Sequence, residues 1–192
     1  LGVGIDAAVA PTFQTAVNPS EGGISGRSSF RDSVVRNYTY NIGPNEAEEV
    51  YKIFLAVRGR RYPVALRDWG FNYMAVNAPQ VSEFLTVTVR PATGTQNYVQ
   101  RILIPDTRFM PVTVNGSPVT VDEPGVVAGM GAGDVATFQY LIPVCFLEDA
   151  LGMVVHARNP DDDTLQVSLP TVHFEEILEA EYRNLVGLPP LT

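Results

Sequence analysis

The chain has 192 residues, 45% hydrophobic and 18% charged, which is enough apolar content for one packed domain and argues against a disordered polyelectrolyte. Its formal net charge is −8, from 21 acidic and 13 basic side chains, so the surface as a whole repels nucleic acid unless a basic patch is segregated on one face. A lone cysteine, Cys145, excludes an intrachain disulfide, and 15 prolines with 16 glycines spread along the chain predict many turns and short elements, a β-rich architecture rather than a helical bundle.

The opening LGVGIDAAVAPTFQTAV is mildly apolar, but it has no basic residue and is interrupted by Asp6 and Pro11. It reads as neither a signal peptide nor a spanning helix, no later stretch is apolar enough to cross a bilayer, and the expectation is a soluble protein without membrane contact. Residues 1–33 have weak periodicity and turn chemistry in NPSEGGISGRSS, which predicts an extended arm or surface loop. In VVRNYTYNI, Val34, Arg36, Tyr38, Tyr40 and Ile42 alternate with Val35, Asn37, Thr39 and Asn41, the period of a half-buried strand.

GPNEAEEVYKIFLAVRG carries the one clear helical period. Asn45 is expected as its N-cap, with Glu48 at the capping-box spacing. Ala47, Val50, Tyr51, Phe54 and Val57 recur so as to cover a sheet, and Gly59 is the expected left-handed stop. Three arginines follow at once: Arg58, Arg60 and Arg61, with Arg67 and Asp68 a few residues on. Pro63 places the next short strand, through Val64 and Leu66, at an edge or a strand start.

EFLTVTVRP and YVQRILIP predict two strands separated by a turn, and MPVTVNGSPVTV predicts a hairpin, with Pro118 expected to lengthen the loop around Asn115-Gly116. GVVAGMGAGD is a glycine-rich connection. VATFQYLIPVCF is the longest strand, apolar enough to be central, with Pro143 predicting a bulge or break. LQVSLPTVHF predicts a strand pair or a bent strand, and EEILEAEYRNL a last turn or two of helix. No internal repeat and no linker marks a second domain, so residues 1–192 are expected to form a single mainly β domain: an antiparallel β-sandwich or barrel-like core with one short amphipathic helix and β-hairpin extensions.

Catalytic chemistry finds little support in the residues. A nucleophile–base–carboxylate set must draw on His156 or His173, and both sit in strand-like contexts where a packed or surface histidine is the common role. Cys145 lies in an apolar run that predicts a buried, inert thiol. GMGAGD lacks the Lys-Ser/Thr of a phosphate loop and precedes a strand. The acidic run at 161–163 lacks the alternating ligands of a calcium loop and reads as a solvated turn. No catalytic, metal or cofactor residue is therefore assigned, and the protein is expected not to be an enzyme. Trp69 beside Asp68 is the only feature that a small carbohydrate-binding β-sandwich would use.

The order of the pieces adds more than any one of them. RGRRYPVALRDW, NYVQRILIPD, VTVNG, VATFQYLIPVCFLEDAL and VSLPTVHFEEI follow one another in a way that resembles the distal tail protein family of long-tailed bacteriophages and gene transfer agents, over residues 30–177. The segment DTRFMPVTV departs from that pattern, with bulky residues where the family has a Gly-Thr turn. The resemblance implies a structural virion protein, assembled in the host cytoplasm, that forms a ring, as a hexamer, at the distal end of the tail tube. It would join the tube protein to tip or baseplate hub proteins around a channel through which DNA passes without specific binding. A different tail-tube or baseplate subunit is the alternative within the same class. In this setting Arg58, Arg60, Arg61, Arg67 and Asp68 are a candidate subunit interface, with Arg67 and Asp68 as a local pair. The residues by themselves leave open whether these arginines meet a neighbour or only solvent.

Overall fold

The computed structural model describes residues 7–12, 15–19, 25–29, 35–67, 73–89, 98–122, 124–158, 165–169 and 171–188, and the statements below concern these. In chain order the strands are β1 (Ala7–Thr12), β2 (Thr15–Pro19), β3 (Ser25–Ser29) and β4 (Val35–Tyr40), followed by helix α1 (Pro44–Val57) and a 3-10 turn (Gly59–Arg61). Then come β5 (Val64–Leu66), β6 (Met74–Pro79), β7 (Thr86–Val89), β8 (Tyr98–Arg101), β9 (Ile104–Pro105), β10 (Thr113–Val114), β11 (Ser117–Pro118) and β12 (Val135–Phe146). The chain continues with β13 (Val154–Arg158), β14 (Leu165–Ser168), β15 (Val172–Glu176) and helix α2 (Glu179–Val186). The protein is mainly β, and its ladders are antiparallel. No described helix is long and apolar enough to cross a membrane. The chain divides into two compact units, one formed by residues 1–63 with 144–192 and the other by residues 64–143.

The first unit is built on β4. Its two edges pair with β1 (Ala7↔Tyr40 to Thr12↔Val35) and with β15 (Val172↔Tyr40 to Glu175↔Asn37), and β15 pairs in turn with the last residues of β12. Part of the stretch expected as an arm is thus a sheet strand, β1, while β2 and β3 form a hairpin of their own. Alternation puts Arg36, Tyr38 and Tyr40 of β4 on the buried face, with Val172, Phe174 and Glu176 of β15 beside them. α1 packs on β14 and buries Ala47, Val50 and Phe54. Phe54 meets Phe146 edge-on at 5.1 Å, and Phe146 meets Phe174 at 4.6 Å. Such pairs contribute roughly 0.5–1.5 kcal/mol each beyond the area they bury.

The ends of α1 differ from the sequence expectation. Gly43, not Asn45, is the N-cap, and no side chain caps it. Pro44 takes the first helical position, where its fixed φ suits the helix and its missing N–H removes one orphan donor, so the helix begins one residue before Asn45. The left-handed C-cap is Arg58 rather than Gly59, and Gly59 adopts positive φ as well. α2 begins at Glu179, short of the full EEILEAEYRNL segment, and ends on left-handed Gly187.

In the second unit the first part of β12 pairs with β10, β6 and β9 (Val114↔Ala136, Ala75↔Phe138, Ile104↔Leu141), and β5 pairs with the same strand. Leu66, Leu85, Ile102, Val112, Phe138 and Ile142 form its core. Pro143 does not break β12. It falls between Leu141, which pairs with β9, and Val144, which pairs with β15, and the recorded irregularity lies elsewhere, between Ala136 and Phe138 opposite β6. Pro118 does not lengthen its hairpin either. Asn115 and Gly116 are a two-residue turn at φ 51° and 82°, closing Val114↔Ser117 and Thr113↔Pro118. Because Val119 N–H donates to Val112 O at 2.9 Å, the intervening pair with Pro118 is a non-hydrogen-bonded one, and its missing N–H costs the ladder nothing. Asn115 is braced further, its Nδ2 donating to Asp134 Oδ1 at 2.8 Å.

Gln80, buried at 2% exposure, clips two segments of this unit together. Its Nε2 donates to Ala78 O and Thr86 O, and its Oε1 accepts from the Thr86 N–H and hydroxyl. Gly125 is held still closer: a Cβ there would lie 1.9 Å from Ile102 O, and its φ is +70°. Gly129 shares the positive φ, at +80°, but has open space around it. Gly125→Ala is therefore expected to destabilise the protein by about 2 kcal/mol or more, and Gly129→Ala by only about 1 kcal/mol. Urea unfolding of the two variants beside wild type measures the difference, and equal midpoints would contradict the close approach.

Candidate subunit-interface site

The basic corner follows directly from how α1 stops. Arg58 turns left-handed at φ 58°, its N–H reaching back to Leu55 O, and Gly59 repeats the left-handed turn at φ 65°. Tyr62 N–H donates to Val57 O at 3.2 Å, closing the loop. Gly59 is buried: an added Cβ would sit 3.4 Å from both Glu148 O and the Phe54 ring. The packed glycine pins the turn while Arg58, Arg60 and Arg61 project into solvent. Among the described residues none of the three makes an ion pair. Arg61 stacks over the Tyr62 ring at 5.4 Å, and that ring is itself exposed. Three exposed guanidiniums that form no ion pair among the described residues, beside an exposed aromatic, are suited to meet the acids of another surface, since Arg forks bind carboxylates in a fixed plane.

Arg67 has a partner inside its own unit. It belongs to the second unit, and its Nη2 donates to Asp106 Oδ2 at 2.7 Å. The expected partner Asp68 lies outside the described residues, as do Trp69 and residues 161–163. Asp106 also takes two bonds from the Arg108 guanidinium, Nε to Oδ1 at 2.8 Å and Nη2 to Oδ2 at 2.9 Å, and one from the Arg108 N–H. Its carboxylate is 1% exposed. The Arg108 side chain first, and Arg67 with the Arg108 N–H after it, hold the Asp106 carboxyl well below the usual carboxylate range despite burial. Phe109 stands in solvent between the two arginines, 5.0 Å from Arg67 and 5.6 Å from Arg108.

A second charged pair is sealed in the first unit. Arg36 Nε lies 3.2 Å from Glu176 Oε2, with side chains 8% and 9% exposed, and the Arg36 N–H donates to the same oxygen. Beside it opens a cavity of about 160 Å³ lined by Arg60, Cys145, Glu175, Glu181, Ile177 and Leu178 among others. Burial pushes the Cys145 thiol up, and Glu181 adds to the effect, so the thiol stays protonated and a weak nucleophile.

The two histidines are engaged in strand pairs. His156 Nε2 lies 2.9 Å from Ser168 Oγ on the exposed β13–β14 hairpin. His173 Nδ1 lies 3.2 Å from Thr39 Oγ1, its cross-strand neighbour, and Nε2 is 4.0 Å from Glu148. Among the described residues no carboxylate orients His156 against Ser168, and no group of His, Cys, Asp and Glu gathers as a metal site. The residues that sequence reasoning missed are Asp106, Arg108, Phe109 and the Arg36–Glu176 pair. Arg36 on the inner register of a strand was the one available signal, since a cation there demands a buried acid. No family model matches the chain, and a search of curated proteins returns no match.

Two outcomes follow. Glu176→Gln strands the Arg36 cation in the core and is expected to cost about 3 kcal/mol, whereas replacing both partners by apolar residues is expected to be much milder, as measured by chemical unfolding. The Asp106 carboxylate, depressed in the folded state, contributes stability that is fully present above an unfolded-state pKa of about 3.9 and fades as pH falls through its lower folded value. Asp106→Asn should therefore lie well below wild type in stability at pH 7, the gap closing below about pH 4. A gap that persists unchanged at acid pH would count against the ion-pair account.

Proposed function

We propose that this protein is a structural subunit of a phage-type tail, closing into a ring, as a hexamer, at the distal end of the tail tube. In this reading the ring joins the tube to tip or baseplate hub proteins and surrounds an open axis. The observation that carries the proposal is the pinned corner of Arg58, Arg60 and Arg61, exposed and without ion pairs among the described residues, on a chain of net charge −8. Identical acidic copies repel one another in bulk, so a local cluster of unengaged guanidiniums is the feature that lets one copy bind the acids of the next. The order of motifs from RGRRYPVALRDW to VSLPTVHFEEI supports the same class of protein. Overall acidity suits a channel through which DNA slides without sticking, and the role belongs to a virion rather than to turnover of a substrate.

Arg58→Glu and Arg61→Glu are expected to weaken assembly by tenfold or more while leaving the thermal transition of the monomer within a few degrees of wild type, because both side chains are exposed. Native mass spectrometry reads the assembly. The same oligomer mass distribution in wild type and both variants sinks the corner as an interface, and a wild type that remains strictly monomeric sinks the ring.

A further inference from the structure

We infer that Asn115 is a covalent modification site: once the Asp134 carboxylate releases it, its side chain cyclises onto the Gly116 nitrogen and is hydrolysed to aspartate or isoaspartate. The inference concerns the turn between β10 and β11 alone and does not depend on the ring reading.

Asn115 is the only asparagine in the chain that glycine follows. The reaction needs the amide nitrogen of the next residue to reach the asparagine Cγ, and glycine has no side chain to obstruct that approach. Both residues of the turn are exposed, and nothing lies within 4 Å of where a Cβ on Gly116 would be. In the first step the Gly116 N–Asn115 Cγ bond forms, the Cγ–Nδ2 bond breaks, and ammonia departs with the Gly116 amide proton. Water then opens the succinimide ring. Attack at Cγ returns the normal backbone with an aspartate, and attack at the main-chain carbonyl carbon leaves the backbone running through Cγ as an isoaspartate. Water is the only co-reactant, and nothing is oxidised or reduced.

In the closed turn the side chain is held at both ends. Nδ2 donates to Asp134 Oδ1 at 2.8 Å, Oδ1 accepts from the Val135 N–H at 3.1 Å, and the Asn115 N–H donates to Val135 O at 2.8 Å. Cγ is thereby fixed against the start of β12, while left-handed φ values of 51° and 82° keep the main chain in the hairpin conformation. Asp134 is itself set in place, its Oδ2 accepting from the Gly131 N–H at 2.8 Å. The Asn115 amide first, and the Gly131 N–H after it, hold the Asp134 carboxyl below the ordinary aspartate range, so the acceptor is a carboxylate. The glycine-rich connection thus aims one carboxylate at one amide. Conversion of Asn115 removes the donor and puts a second carboxylate against the first, and an isoaspartate adds a methylene to a turn that closes in two residues.

The test incubates the full chain in mildly alkaline buffer, folded and in urea, and follows conversion of amide to acid by peptide mass mapping, with enzymatic methylation to reveal isoaspartate. Conversion in urea is expected first at Asn115, and to be about tenfold or more slower in the folded protein. Asp134→Ala is expected to speed it about tenfold in the folded state, while the Val119 amide, which donates to Val112 O across the hairpin, stays protected from exchange. Should that amide lose protection in Asp134→Ala, Asp134→Asn decides. It keeps an acceptor without the charge, so a rate between those of wild type and Asp134→Ala supports the latch and the wild-type rate overturns it. Equal rates for folded and unfolded wild type, or for folded wild type and an Asp134→Ala whose hairpin is closed, overturn it as well. Asn115→Asp supplies the product directly: it is expected to melt a few degrees below wild type and to be restored by Asp134→Asn in the same chain, and an unchanged transition overturns the repulsion between the two carboxylates.

Discussion

The edge-to-face contact of Phe54 with Phe146, continued into Phe174, is the interaction on which the candidate site depends. It ties α1 to the last residues of β12 and to β15. Phe54 lies one turn before the stop, and its ring tip is within 3.4 Å of where a side chain on Gly59 would be. The same Phe146 lines the cavity next to Cys145 and Glu175. Burying rings of this size contributes on the order of 2–3 kcal/mol apiece, which exceeds what any exposed arginine contributes to folding. Packing therefore sets the geometry of the corner, and the arginines are carried by it without being needed for it.

Two sets of arginines differ in their surroundings. Arg36 and Arg67 are largely shielded from solvent and hold Glu176 and Asp106, while Arg58, Arg60 and Arg61 are exposed and, among the described residues, make no ion pair. A buried pair adds little net stability over an apolar isostere, yet removing one partner is expensive, so such pairs specify geometry. Arg36 fixes the end of the β4–β15 face, and Arg67 with Arg108 fixes a loop. The solvent-facing group has no such internal task. Its availability is a chemical fact about the surface, and it gives the assembly reading a physical basis that does not depend on the motif resemblance.

Hairpins and strands were legible wherever period and turn chemistry agreed. β7 and β8, the Asn115-Gly116 turn, the twelve residues of β12 and the apolar stripe of α1 all lie where alternation, β-branching and helical spacing put them. Three of the misreadings share one cause. Pro118, Pro143 and Asn45 were judged by their own preferences, whereas the outcome turned on which ladder position or helix position the neighbours assigned to them. Proline is harmless at a non-hydrogen-bonded pair and helpful at the first helical residue, and neither position can be read from the proline itself.

For the candidate site, sequence alone determined that a short amphipathic helix ends in a cluster of arginines beside a glycine, because helical period and left-handed stops are local properties of a few consecutive residues. Tertiary structure alone decided that Arg67 meets Asp106, 39 positions away, and that Arg36 finds Glu176, 140 positions away. Ion pairing depends on distance in space and on exclusion of water, and both are set only when strands far apart in the chain are brought into register.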